Sequence, residues 1–234
     1  MQSDLPGTLA RIAEIGFDQV EPYSFTDFPG IGDALKTAGL TAPTAHGHFV
    51  GVEGAELDDV FASAKSIGIA RVIDPHVPAE RWASAASVHE IADQLNAAAE
   101  VAARHGVTIG YHNHAHELES IIDGRTSLEL FVDSLGDAIK LEVDTYWAAV
   151  GGQDPVQLLK RLGDRVVAIH VKDGAGTPEP KDQTAVGSGT LPIREIIEAA
   201  PVTALRVIEL DDSRDDRFQA VADSYAYLTR ENLA

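Results

Sequence analysis

Short apolar runs of strand character alternate with amphipathic helical segments along the whole chain, and few architectures accept that order. Leu5, Leu9, Ile12 and Ile15 fall at helical spacing before Gly16; Phe17–Tyr23 then reads as a strand and Ile31–Ala38 as a helix closed by Gly39. Further strands are predicted over Thr41–Phe49, Ala70–Val77, Val107–His114, Ala138–Trp147, Val166–Lys172 and Ala204–Asp211. Helices are predicted over Leu57–Ile67, Ser84–His105, Ser127–Leu135, Pro155–Leu162, Ile193–Ala199 and about Arg217–Leu228. Such alternation implies parallel strands joined by right-handed crossovers, either a doubly wound sheet or a (β/α)8 barrel. No Gly-x-Gly-x-x-Gly follows the first strand, so the dinucleotide-binding wound sheet loses its main support. The expectation is an α/β chain of the (β/α)8 TIM-barrel type, one domain over residues 1–234. Its strands number seven and it opens on a helix, so the first strand is missing from the plan. A seam of that kind would expose two strand edges, which predicts a homo-oligomer.

The polar chemistry is concentrated where the strands end. His46-Gly47-His48, His112-Asn113-His114, Glu142-Val143-Asp144, His170-Val171-Lys172-Asp173 and Glu209-Leu210-Asp211 each close an apolar run. In a parallel barrel those C-terminal ends form one mouth, where active sites are built. Residues i and i+2 share a strand face, so His46 pairs with His48, His112 with His114, Glu142 with Asp144, His170 with Lys172 and Glu209 with Asp211. Gathering so many ionisable groups is costly unless they pair with one another or hold a metal. The chain has no Cys, so any metal would be held by imidazole and carboxylate, a donor set that suits Mn, Co, Zn or Fe and admits Mg where carboxylates dominate.

Plainer readings accompany these. Asp173 and Asp211 cap the following loops or pair with Lys172, and His89 and His105 on the Ala-rich helix are solvated. Asp74 and His76 flank Pro75, where a mouth position and a turn are alternatives. Trp147 is placed to stack on a sugar ring or to pack under a loop. Gly187-Ser188-Gly189-Thr190 resembles a phosphate-cradling loop, although an ordinary loop before a helix reads the same way. The irregular stretch from Gly174 to Leu191 is long enough to cover a site.

Net charge narrows the field of partners. With 18 Lys+Arg against 37 Asp+Glu the chain carries a formal −19, which disfavours nucleic acid and anionic membrane surfaces. No apolar run approaches the ~20 residues needed to span a bilayer. The start of the chain is polar and unlike a signal peptide, so a cytoplasmic protein is expected.

Several stretches, in this order, resemble the sugar phosphate isomerase/epimerase family of the xylose isomerase-like barrel superfamily. They are residues 9–21, Gly110-Tyr-His-Asn-His114, Glu142-Val-Asp-Thr-Tyr-Trp147 with Gly151-Gly-Gln-Asp-Pro155, residues 165–173, Val186-Gly-Ser-Gly189 and Val207-Ile-Glu-Leu-Asp211. The resemblance implies a (β/α)8 barrel with one divalent metal at its mouth, bound by Asp144, His170 and Glu209. The family's fourth ligand is commonly a Glu where this chain has His112; either His112 ligates, or Glu142 or Glu117 substitutes, or a position stays open. The implied activity is isomerisation or epimerisation of a sugar or keto-sugar through an enediolate. Glu209 would exchange the proton with Glu142 or with a histidine such as His46 or His114, and Lys172 would steady a substrate oxygen. His48, His76 and Trp147 are the candidate substrate contacts. Loss of a β-leaving group in the same site would make a lyase or dehydratase acting on a keto-sugar or keto-inositol. The apurinic endonuclease branch of the superfamily conflicts with the charge, and a non-enzymatic truncated barrel is the remaining alternative.

Overall fold

A computed structural model of the chain describes residues 4–233. Alternating strands and helices are grouped in two compact units. The first takes in the described residues up to Arg81 with 86–111 and 131–139, and the second takes in 82–85, 112–130 and the described residues from Lys140 onward.

In the first unit the parallel strands are β1 (Thr44–His46), β2 (Arg71–Asp74) and β3 (Thr108–His112, whose last residue belongs to the second unit). Ala45 lies opposite Val72 and Ile73 opposite Gly110. The helices are Leu5–Ile15, Ile31–Ala38, Gly54–Ile67 and Ala85–Arg104. The last of these buries Val88, Ile91, Ala92, Leu95, Ala98 and Ala102. That spacing of three and four residues is a single apolar stripe, while strong helix formers fill the rest of the segment.

The second unit carries β4 (Lys140–Asp144), β5 (Val166–Val171) and β6 (Leu205–Ile208), again parallel and in that order. Asp144 lies opposite His170, and so does Val207 on the other side. Its helices include Thr145–Val150, Pro155–Leu162, Ile193–Ala199 and Arg217–Arg230. Asp154 accepts from the amides of Val156 and Gln157 ahead of Pro155, so helix Pro155–Leu162 starts where its cap dictates. A two-residue antiparallel pair joins Asp173–Gly174 to Gln183–Thr184.

The described residues thus hold six parallel strands rather than seven. Phe17–Tyr23 is not one of them: Gln19 makes a lone parallel bridge to Thr41. Hydrogen bonds do continue beside it, from Val20 N to Thr41 O and from His46 N to Pro22 O. Pro22 and Pro43 supply no N–H, so no ladder propagates. Strand Ala138–Trp147 also runs too long in the sequence reading. It stops at Asp144, whose carboxylate accepts from Trp147 N and starts a helix, so Trp147 is helical. β6 stops at Ile208, which leaves Glu209 and Asp211 on the following loop. Among the described residues, no helix is long and apolar enough to cross a membrane.

Candidate metal and sugar site

Seven of the sequence candidates come together in the second unit, at the ends of β3, β4, β5 and β6. Glu142 is buried, and its Oε1 lies 3.1 Å from His112 Nδ1 and 3.0 Å from His170 Nε2. The two imidazole rings approach to 4.5 Å. The other nitrogen of His170, Nδ1, faces Glu209 Oε2 at 3.4 Å and Asp144 Oδ2 at 3.9 Å. Lys172 Nζ sits 2.8 Å from Asp144 Oδ2 and 2.9 Å from Asp211 Oδ2, and also contacts Glu209 Oε2. Solvent reaches the cluster past Glu209 and Asp211, whose side chains are 33% and 30% exposed, whereas Lys172 is 1% exposed.

Local structure explains this convergence. The strand pleat puts Glu142 with Asp144 and His170 with Lys172 on common faces, and the β4–β5 register sets Asp144 directly across from His170. Asn113 clamps the backbone of Asp144 from both sides, accepting from its N–H at 3.1 Å and donating to its carbonyl at 3.3 Å. Asp144 Oδ1 is spent on the helix cap, and Oδ2 is left pointing at Lys172 and His170.

Electrostatics pull these groups in different directions. Burial pushes the Asp144 carboxyl above its usual range against the attraction of Lys172 and His170. Burial also opposes the charge on Lys172, but Asp144, Glu209 and Asp211 outweigh it and hold the ammonium protonated above its ordinary value. At Glu209 burial works against ionisation, yet Lys172 and His170 keep the carboxyl well below the usual carboxylate range.

The donor chemistry fits a divalent cation. Asp144, His170 and Glu209 each offer a ligand atom, and these atoms lie within 4.8 Å of one another. A neutral imidazole donates only once. If His170 gives its proton to Glu142, the Nδ1 lone pair faces two carboxylate oxygens, an arrangement that a cation relieves and that recurs in carboxylate–histidine–metal sites.

The other candidates are placed as follows. His114 is half-buried, with its ring stacked on His116 at 5.9 Å and tilted towards Trp147 at 6.2 Å. Trp147 is buried and donates from Nε1 to Asp211 Oδ2 at 3.0 Å. Glu117 is fully buried and accepts from His114 N. In the first unit His46 is buried with Nε2 3.1 Å from Glu21 Oε1. His48 and His76 are exposed there. Asp74 makes a turn: its carboxylate accepts from the amides of Phe49, Val50 and His76, and burial raises its pKa against those bonds. His105 is not merely solvated, since its Nε2 lies 2.8 Å from Asp58 Oδ1. The phosphate-loop reading of Gly187–Thr190 fails because the amides of Gly187 and Gly189 already point at Asp173 Oδ2, each at 3.0 Å.

Two polar residues had no sequence signal as parts of the site. Asn113 was visible only as the middle of a His-x-His stretch. Gln183 is fully buried, donates to Asp211 Oδ2 at 2.6 Å and accepts from Asp211 N at 2.8 Å. Nothing in a lone loop glutamine announces that pairing.

Comparison with known proteins gives a consistent picture. The family model described as xylose isomerase-like TIM barrel matches residues 9–228. An inosose dehydratase from Geobacillus kaustophilus (strain HTA426) is 26% identical over 245 aligned residues, covering 96% of this chain and 76% of that protein. A solved sugar phosphate isomerase/epimerase from Parabacteroides distasonis ATCC 8503 superposes with a TM-score of 0.81 at 20% identity, over 99% of this chain and 94% of that one. The probable 3-DHS dehydratase AsbF from Bacillus anthracis superposes with a TM-score of 0.75 at 13% identity, covering 97% and 93%.

Proposed function

The chain belongs to the xylose isomerase-like TIM barrel family, and from that premise we propose that it is an enzyme that removes a proton next to the carbonyl of a sugar or keto-sugar, with isomerisation or epimerisation as the outcome. One observation carries the reading: Asp144, His170 and Glu209 converge their donor atoms while Glu142 orients His170 from behind. Those three residues would hold one divalent metal, with His112 as the neighbouring imidazole. When bound, the metal supplies Lewis-acid polarisation of substrate oxygens.

The chain's own groups then divide the work. Glu209 is the carboxylate of the donor set that reaches solvent, so it is the group placed to take the α-proton. Returning that proton to the neighbouring carbon isomerises the substrate, and returning it to the opposite face epimerises it. Glu142 is a positioning residue rather than the second proton carrier, because its Oε1 is shared by two imidazoles in a buried setting. The half-buried His114 ring, tilted towards the buried Trp147, is suited to the apolar face of a sugar.

A second reading is dehydration, in which a β-hydroxyl leaves after the same proton abstraction. The 26% identity to an inosose dehydratase across 96% of this chain favours it, as does the presence of His112 in place of a second ligand glutamate. Both readings make the same first step. The test is α-proton exchange in D2O followed by NMR on ketoses and keto-inositols, before and after chelation. Exchange that depends on added Mn2+, Co2+, Zn2+ or Mg2+ and disappears in His170→Ala is expected. Exchange surviving exhaustive chelation would overturn the metal assignment, and no exchange with any carbonyl sugar would overturn the activity.

A further inference from the structure

We propose that Lys172 is the resident counter-cation of this cluster, that it competes with the divalent metal for Asp144 and Glu209, and that Asp211 shares the ammonium with them and draws part of its charge away. The inference rests on the metal reading above.

The oxygens that Lys172 touches, Asp144 Oδ2 and Glu209 Oε2, are also the ones that face His170 Nδ1. An ammonium and a dication drawing on the same oxygens repel each other at close range, where interior charges are poorly screened. The remaining direction of Lys172 is taken by Asp211 Oδ2 at 2.9 Å. With all three N–H directions given to carboxylates and 1% of the side chain exposed, Lys172 is built as a charge partner and not as a hand extended to substrate.

Asp211 is well fixed to share the ammonium. Its Oδ2 collects donors from Trp147 Nε1, Gln183 Nε2 and Lys172 Nζ, and its own N–H is held by Gln183 Oε1. The Trp147 ring, with its centroid 6.0 Å from Nζ, adds a second attraction on the same side. Asp211, Gln183 and Trp147 therefore share one task, giving the ammonium a fixed partner outside the donor set.

Calorimetric titration of the metal-stripped protein with Mn2+ tests this. Lys172→Met is expected to bind Mn2+ at least tenfold more tightly than wild type. Asp211→Asn is expected to bind at least threefold more weakly, and that loss should vanish when combined with Lys172→Met. A folded Lys172→Met no tighter than wild type, or an Asp211→Asn effect unchanged in the double variant, overturns the proposal. Should Lys172→Met not fold by circular dichroism, Lys172→Gln takes its place, and a folded Asp211→Asn binding as tightly as wild type overturns the proposal unaided. Wild-type protein that binds no Mn2+ removes the metal reading itself, an outcome distinct from wild-type binding that the variants leave unmoved.

Discussion

Replacing Asp173 by alanine removes a carboxylate that is 2% exposed and accepts four main-chain N–H groups. Oδ1 takes Gly174 N at 2.8 Å and Leu191 N at 3.1 Å, and Oδ2 takes Gly187 N and Gly189 N at 3.0 Å. Gly174 is buried, so its amide loses a partner that water does not replace, a cost of about 2 kcal/mol. Gly187 and Gly189 are exposed and Leu191 is half-buried, so water recovers part of each bond and the loss is nearer 0.5–1 kcal/mol apiece. Relief of the buried charge offsets about 1 kcal/mol of the total. The net expectation is roughly 3 kcal/mol, large for one substitution. Urea unfolding followed by circular dichroism measures it, and hydrogen exchange at Gly187, Gly189 and Leu191 localises it. Asp173→Asn, which keeps one acceptor and turns an amide group towards two donors, is expected to lose about half as much. A destabilisation below about 1 kcal/mol in Asp173→Ala would refute the view that these bonds hold the loop.

Three further outcomes follow from the same geometry. Gly187 has φ +87° and an added methyl would meet the Tyr227 ring, so Gly187→Ala should cost about 2 kcal/mol and lower Tm by about 4–8 °C in a scanning calorimeter. Glu142→Gln keeps the shape but gives His170 a weaker acceptor; Mn2+ affinity by titration calorimetry should fall about 10–100-fold, with little change in unfolding midpoint. Asp58 has its pKa lowered from 3.8, chiefly by the His105 hydrogen bond and also by Arg104. Its contribution to stability is thus present above pH 3.8 and lost as pH falls through the lower folded-state value, so wild type and Asp58→Asn should differ in urea midpoint at pH 5 and converge under acid.

Helix limits were legible wherever local chemistry sets them. The helices Leu5–Ile15, Ile31–Ala38, Pro155–Leu162 and Ile193–Ala199 begin and end where periodicity and the flanking Gly, Pro and Asp residues place them. Strand limits were less legible, because an apolar run says nothing about where pairing stops. Val143 and Tyr146 are both buried, yet one is in a strand and the other in a helix, and the switch between them is a single side-chain bond from Trp147 N to Asp144. In Phe17–Tyr23 the hydrophobic pattern was right for a strand, and the proline at 22, with another at 43 on the opposing segment, cost it the ladder.

The candidate site divides along the same line. Pairs two residues apart on one strand were readable, because the pleat alone fixes their faces. Gln183 and Asp211 are 28 residues apart and Asn113 and Asp144 are 31 apart, so only the folded chain brings them together.

What the sequence does foreshadow is the charge imbalance of the cluster. Four carboxylates, Glu142, Asp144, Glu209 and Asp211, face one ammonium, Lys172, and two imidazoles, His112 and His170, in a largely buried space. Two routes relieve such a surplus. A proton can be taken up at Asp144, the direction in which burial pushes it, or a dication can be bound among Asp144, His170 and Glu209. The two routes compete for the same carboxylate, so metal binding should release a proton when the apo site is protonated. The number of protons released, read from the buffer dependence of the calorimetric enthalpy, tells which form the apo protein keeps.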